Sequence, residues 1–366
     1  MKLEAINMRV EELRLGKVIA EDIFANTQYP IIYKDSKIKT EHFRVFELFN
    51  LKTVLVYNDA NVESSTEENT ETQATSASLP LYTSFEKCYN DAIIQLKKEF
   101  LNWESGGKID ITKVRGMIIP LMEKVLEDRS YIFDLNNYSN PKDYLYHHCV
   151  ATGLIASIVA KKLGFERGIT IQLAIAGMLA DSGMARISPR IRDKKSALTK
   201  EEFDEVKKHP TYSYMLVKNV SAIKEVMKEA VYQHHERLDG SGYPKGERIG
   251  SISNFAQIIA VADVFHAMTS ERLYRTKQSP FKVIEMIKEE EFGKFDIKVV
   301  QALMDIIVDL PIGTKIEISN FELGEVMFIN KYSPTRPLVK LTRTGEIIDL
   351  SSNRSFYISR IITKNN

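Results

Sequence analysis

Gln233-His234-His235-Glu236-Arg237-Leu238-Asp239-Gly240-Ser241-Gly242-Tyr243-Pro244 joins two adjacent imidazoles to a glycine-rich turn, and its reading decides the fold of the middle of the chain. A helix predicted from about Ser221 places Ile223, Val226 and Ala230 on one face, and His234 extends that face by a turn. His234 is therefore expected to point inward. His235 lies about 100° further round the helix, so the two rings approach one buried site from different directions. Six of the seven histidines, His147, His148, His209, His234, His235 and His266, fall between positions 147 and 266. A lone histidine is usually a packed or surface residue. Crowding among carboxylates on apolar faces needs another cause. Asp263 shares a predicted helix with Phe255, Ile259 and Ala262, and Asp181 follows the apolar run Ile175 to Ala180. An unpaired carboxylate is costly to bury in either place, so each should meet a metal or a base. Oxygen and imidazole donors without thiolates suit iron, manganese or zinc.

Outward from this cluster, helical periodicity runs from Tyr144 to about Asp309, with Gly164 ending one helix and the capping box Thr199-Lys200-Glu201-Glu202 opening another. Residues 140–310 are thus expected to form an all-α domain. Before it, Phe85, Cys88, Ala92, Leu96 and Phe100, then Val114, Met117, Leu121 and Val125, keep the three-to-four spacing of amphipathic helices. Residues 81–139 read as a helical connector whose apolar faces pack within the chain or between protomers as a homodimer seam. Residues 59–80 hold almost nothing to bury and read as a disordered acidic linker. Residues 1–58 read as a small α/β module, with β-like runs at Tyr29–Tyr33 and Thr53–Tyr57 and a helix from Thr40 to Phe49. After Pro311 the period changes to alternation, in Thr314–Ile318, Leu338–Leu341 and Phe356–Ile361, so residues 311–366 read as a small β barrel-like module. The fold class is mainly α.

The chain has 366 residues, enough for two or three domains. Fifty basic and 49 acidic residues leave a net charge of +1, so no global field points to nucleic acid or an anionic membrane. Cys88 and Cys149 are the only cysteines, which fits a reducing compartment and excludes a thiolate metal site. No apolar run is read as long enough to span a bilayer. A cytoplasmic protein is expected.

His148 behind Tyr144 and Tyr146, Asp181 in Leu-Ala-Asp-Ser-Gly, His209-Pro210, the block from His234 to Pro244, and Ala262-Asp263-Val264-Phe265 together resemble the HD-GYP domain in order and spacing. The resemblance implies an HD-superfamily helical fold and metal-dependent hydrolysis of cyclic dinucleotides, chiefly cyclic di-GMP, with iron or manganese as cofactor. It implies one metal at His148, Asp181 and Asp263 and a second at Asp181, His209, His234 and His235, with Asp181 as the catalytic bridge. It further implies ligand contacts from Gly242, Tyr243 and Pro244, and phosphate contacts from Arg272 and Arg275.

Three positions depart from the family pattern. Ala180 stands where the HD histidine belongs, Met184 replaces a lysine, and Tyr144 replaces a glutamate that adds a third metal in some members. His266 takes the place of an aspartate and is given no role. The expectation is a degenerate HD-GYP protein that binds metal and a cyclic dinucleotide, cyclic di-GMP or cyclic GMP-AMP, with little or no hydrolysis. Protein partners would act through the terminal modules. An active phosphodiesterase with a reduced metal site and a non-binding scaffold are the alternatives.

Overall fold

The computed structural model describes residues 5–14, 16–24, 32, 34–38, 42–43, 46, 51–57, 84–135, 137–139, 141–271, 277–289 and 292–362. The chain divides into two compact units, residues 1–78 and 79–366. In the first, strands β1 (Ala5–Arg9) and β2 (Thr53–Tyr57) pair antiparallel, Ala5 opposite Tyr57. Ile19, Ile38, Phe46 and Val56 form its core. Of the expected helix Thr40–Phe49 only residues 42, 43 and 46 are described, all helical, and of Tyr29–Tyr33 only Ile32. The linker expected at 59–80 lies outside the described residues.

The second unit opens with α1 (Phe85–Glu104) and α2 (Ile111–Glu127), started by Ser84 and Asp110, whose side chains accept hydrogen bonds from first-turn amides. Phe85, Leu96 and Phe100 of α1, and Val114, Leu121 and Val125 of α2, join the main core. These apolar residues are therefore packed within the chain. Next come α3 (Tyr144–Lys162) and α4 (Arg167–Leu179). α3 is buried continuously from His147 to Ala160, the pattern of a helix surrounded by others. Gly164, at φ +84°, turns the chain after it. Residues 167–186 are apolar enough to cross a bilayer by length and composition, contrary to the reading from sequence. Most of that stretch is buried inside the unit, because it is a core helix packed on α3.

The capping box at Thr199 forms as expected, at the start of the short helix Lys200–Val206. α5 (His209–Val217), α6 (Glu225–Gln233) and α7 (Asn254–Thr269) follow, and α8 (Pro280–Glu289) and α9 (Ile297–Val308) complete the helical part. Strands β3 (Lys315–Ile318), β4 (Leu323–Phe328), β5 (Leu338–Leu341), β6 (Ile347–Asp349) and β7 (Ile358–Ile361) make one antiparallel sheet in the order β6-β5-β4-β3-β7. Its inward residues Ile316, Val326, Val339 and Ile358 belong to the same core as the helices. Arg336 clasps Glu285 of α8 with two nitrogens, and Ser279 donates to the Ile358 carbonyl.

Candidate metal centre

Five segments deliver the clustered side chains. α3 carries His148, the turn after α4 carries Asp181, α5 begins with His209, α6 ends at His234 with His235 just beyond, and α7 carries Asp263. The helix expected from Ser221 starts at Glu225, because Lys224 is extended at ψ 147°. Met227 rather than Val226 therefore faces inward, and Val226 is exposed. His234 still reaches the interior, as the C-cap residue. His235 lies in the turn after the helix and approaches from a second direction.

Asp181 turns one oxygen to each half of the cluster. Its Oδ1 lies 3.0 Å from His209 Nε2 and 3.5 Å from His234 Nε2, and its Oδ2 lies 3.4 Å from His148 Nε2. His235 Nδ1 is 3.7 Å from Asp263 Oδ2. Ligand atoms of Asp181, His209, His234 and His235 all lie within 4.8 Å of one another, and so do those of His148, Asp181 and Asp263. Burial opposes the Asp181 charge, but the adjoining His209 and His234 outweigh it and hold its carboxyl well below the usual carboxylate range. Asp263 is likewise lowered against its burial, by His148 and then His235. Burial, with the neighbouring His234, pushes the His235 imidazole well below its usual value and keeps it neutral.

The donor chemistry of the larger group fits a cation. His209 Nδ1 lies 2.7 Å from the Val206 carbonyl and His234 Nδ1 lies 2.7 Å from the Val231 carbonyl. A carbonyl only accepts, so both Nδ1 atoms carry the hydrogen and both Nε2 atoms present lone pairs. Those Nε2 atoms are 3.3 Å apart and converge on a carboxylate oxygen. Three acceptors pointing at one buried spot with no proton among them are the arrangement that a metal satisfies.

The surrounding loops explain two glycines. A Cβ at Gly183 would fall 2.1 Å from the His209 carbonyl, so only glycine lets the Asp181 turn approach α5. Ser213 joins the same two segments, accepting from Gly183 N at 2.7 Å and donating to the Ala180 carbonyl at 2.6 Å. A Cβ at Gly242 would fall 2.4 Å from both Arg237 N and the His235 carbonyl. The loop thereby folds back on the histidines, with Tyr243 N bonded to the His235 carbonyl and the Tyr243 ring 4.7 Å from the His235 ring. The Tyr243-Pro244 peptide is cis. Burial, then Asp263 and Asp181, raises the Tyr243 hydroxyl well above its usual pKa, so it remains a donor.

Glu236 has no counterpart in the sequence reading. It is fully buried, and its two carboxylate oxygens accept from Lys245 N at 2.7 Å and Glu247 N at 2.9 Å. It is the inner brace of the Gly-Tyr-Pro loop. Its only signal in the sequence is a charged residue beside two buried histidines. Ala180 is buried at the end of α4, and Met184 packs against the core. Arg272 and Arg275 lie outside the described residues.

The HD domain family model matches residues 120–299. Cyclic di-GMP phosphodiesterase PdeB of Borreliella burgdorferi is 28% identical over 57% of this chain and 56% of its own length. Cyclic di-GMP phosphodiesterase PA4108 of Pseudomonas aeruginosa is 27% identical over 66% of this chain and 58% of its own. The chain thus spans little more than half the length of these curated relatives. The 3'3'-cGAMP-specific phosphodiesterase 3 of Vibrio cholerae is 30% identical over 46% of this chain and 36% of its own. Among solved structures, Bd1817, an HDG"Y"P protein from Bdellovibrio bacteriovorus, shares the fold at a TM-score of 0.50 and 14% identity, over 83% of this chain and 99% of its own. With an HD domain matched over residues 120–299 and the His-His-Glu to Gly-Tyr-Pro block folded over the cluster, the chain carries an HD domain of the HD-GYP type, similar in sequence to cyclic di-GMP phosphodiesterases.

Proposed function

We propose that this protein holds one divalent transition metal, iron or manganese before zinc, at Asp181, His209, His234 and His235, and binds a cyclic dinucleotide beside it with little or no hydrolysis. The observation that carries this reading is the contrast between the halves. Four residues converge in one, while the other has three, with Ala180 before Asp181 offering no donor. A cation in the complete half supplies charge for a phosphate oxygen and acidifies a bound water. Tyr243 donates toward the phosphate, and Arg272 and Arg275 pair with the diester charges as guanidinium forks. The names of the relatives support cyclic di-GMP or 3'3'-cGAMP as the ligand. A chain with only Cys88 and Cys149, too few for a disulfide framework, supports a reducing, cytoplasmic setting.

An active phosphodiesterase with a weakened second metal is the other reading, favoured by the close approach of His148, Asp181 and Asp263. Elemental analysis after dialysis against a chelator, calorimetric titration with both dinucleotides, and a turnover assay separate them. Expected are one metal per chain, binding that weakens about 10-fold or more in Arg272→Ala/Arg275→Ala, and turnover far below about one per second. Two retained metals with turnover at that rate would establish the phosphodiesterase. A parent protein that takes up neither metal nor dinucleotide would establish the scaffold.

A further inference from the structure

The smaller half of the cluster differs from the larger in kind as well as in number of donors. Two donors on one ion stand about 3 to 3.4 Å apart, given metal–ligand bonds near 2.1 Å. His148 Nε2 and Asp263 Oδ1 stand 2.7 Å apart, closer than that and at the length of a charge-assisted hydrogen bond. On the other side of the ring, His148 Nδ1 lies 2.9 Å from His266 Nδ1, and His266 Nε2 lies 3.0 Å from Ser270 Oγ. Tyr144 stacks on His148 with ring centres 5.3 Å apart, its hydroxyl 3.3 Å from the same Nδ1 and so farther than His266. All four members of the chain are buried: His148, Asp263, His266 and Ser270.

We infer that His266 is a positioning residue that commits His148 to a hydrogen bond with Asp263 and so closes the smaller half of the centre to a metal. This rests on the reading of the cluster as an HD metal centre. An N···N hydrogen bond holds one hydrogen. One assignment satisfies every member with neutral rings: Ser270 O–H donates to His266 Nε2, His266 Nδ1–H donates to His148 Nδ1, and His148 Nε2–H donates to Asp263 Oδ1. In that tautomer His148 Nε2 has no lone pair to offer a metal shared with Asp181. A carboxylate at position 266 could only accept, which would place the hydrogen on His148 Nδ1 and leave Nε2 free to ligate. An imidazole can donate, and that reverses the arrangement. The missing histidine at Ala180 is then one of two independent obstacles, and Ala180→His alone does not restore the half-site.

The test has two readouts. Histidine ¹⁵N spectra of the metal-free protein report the tautomer of His148 directly, and zinc titration of parent and His266→Asp reports occupancy of a second site. Expected are an Nε2–H tautomer in the parent and second-site affinity raised about 10- to 100-fold in the variant. The parent tautomer decides the matter if His266→Asp fails to fold. An Nδ1–H tautomer in the parent, or a second-site affinity within threefold of the parent in the folded variant, overturns the inference. Loss of all zinc binding by the parent would instead count against the proposed function, and the tautomer in the metal-free protein would still decide this inference.

Discussion

Glu236 shows how one buried carboxylate can shape the Gly-Tyr-Pro loop from inside. Both its oxygens accept backbone amides, from Lys245 and Glu247, so an amide side chain in its place would set an N–H against an N–H. Glu236→Gln is expected to cost about 1–3 kcal/mol in urea denaturation, the penalty for a buried donor left without an acceptor. A midpoint shift equivalent to only a few tenths of a kcal/mol would mean that the loop is held by Gly242 and Arg237 instead. His147 is a second buried titratable residue, next to His148 but turned toward Tyr89, and its Nδ1 has no hydrogen-bond partner among the described residues. Burial pushes its imidazole down to about 4. The unfolded chain takes up the proton near 6.5 and the folded chain only near 4, so this contribution is complete above pH 6.5 and is lost on acidification between those values. At full effect it amounts to about 3 kcal/mol. His147→Phe should therefore lose less stability than the parent between pH 7.5 and 5, measured by urea midpoints. Identical pH dependence would show that His147 is solvated in the native state.

At the scale of elements, the contact between α3 and α4 fixes how far His148 stands from Asp181. A Cβ on Gly177 would lie 2.9 Å from the Gly153 Cα, and one on Gly153 would lie 2.5 Å from the Ala174 carbonyl, so the two backbones touch. Gly116 in α2 has nothing within 4 Å of a Cβ placed there. The two sites make opposite predictions for one substitution. Gly116→Ala should stabilise by about 0.5–1 kcal/mol through helix propensity and a less flexible unfolded chain. Gly177→Ala should destabilise by about 1–3 kcal/mol, since overpacking outweighs the same propensity gain. It should also weaken metal binding, because a displaced α4 carries Asp181 away from His209 and His234. Thermal melts with metal titration check both, and stabilisation by Gly177→Ala would mean that the helices part freely. Ser213 and Gly183 fix the other distance, between Asp181 and α5; Ser213 carries no period or motif that marks this role, and Gly183 is marked only as the end of Leu-Ala-Asp-Ser-Gly.

For the whole molecule, metal and fold are linked. Removing a cation that binds only the native state withdraws RT ln(1 + [L]/Kd), about 2.7 kcal/mol at a hundredfold excess over Kd. A chelator should lower the melting temperature of the parent and leave His234→Ala/His235→Ala unmoved at an already lower value. Equal chelator sensitivity in both would place the stabilising ion elsewhere. The β-sheet should melt with the helices, since its inner residues share their core and Arg336 holds α8. The sequence alone was sufficient for the helical centre, the capping box at Thr199 and the change of period after Pro311, which follow from local spacing and caps written along the chain. The grouping of His148, Asp181, His209, His234, His235 and Asp263 came from the resemblance to the HD-GYP domain, with the cost of burying charge pointing to Asp181 and Asp263. Only the tertiary structure decided that the apolar residues of α1 and α2 pack within the chain, that Val226 points out, that Glu236 braces the loop, and which nitrogen of each imidazole meets a carbonyl, a carboxylate or another ring. A hydrogen-bond partner is chosen by proximity in space, and His148 and His266 become neighbours only when α3 and α7 pack together.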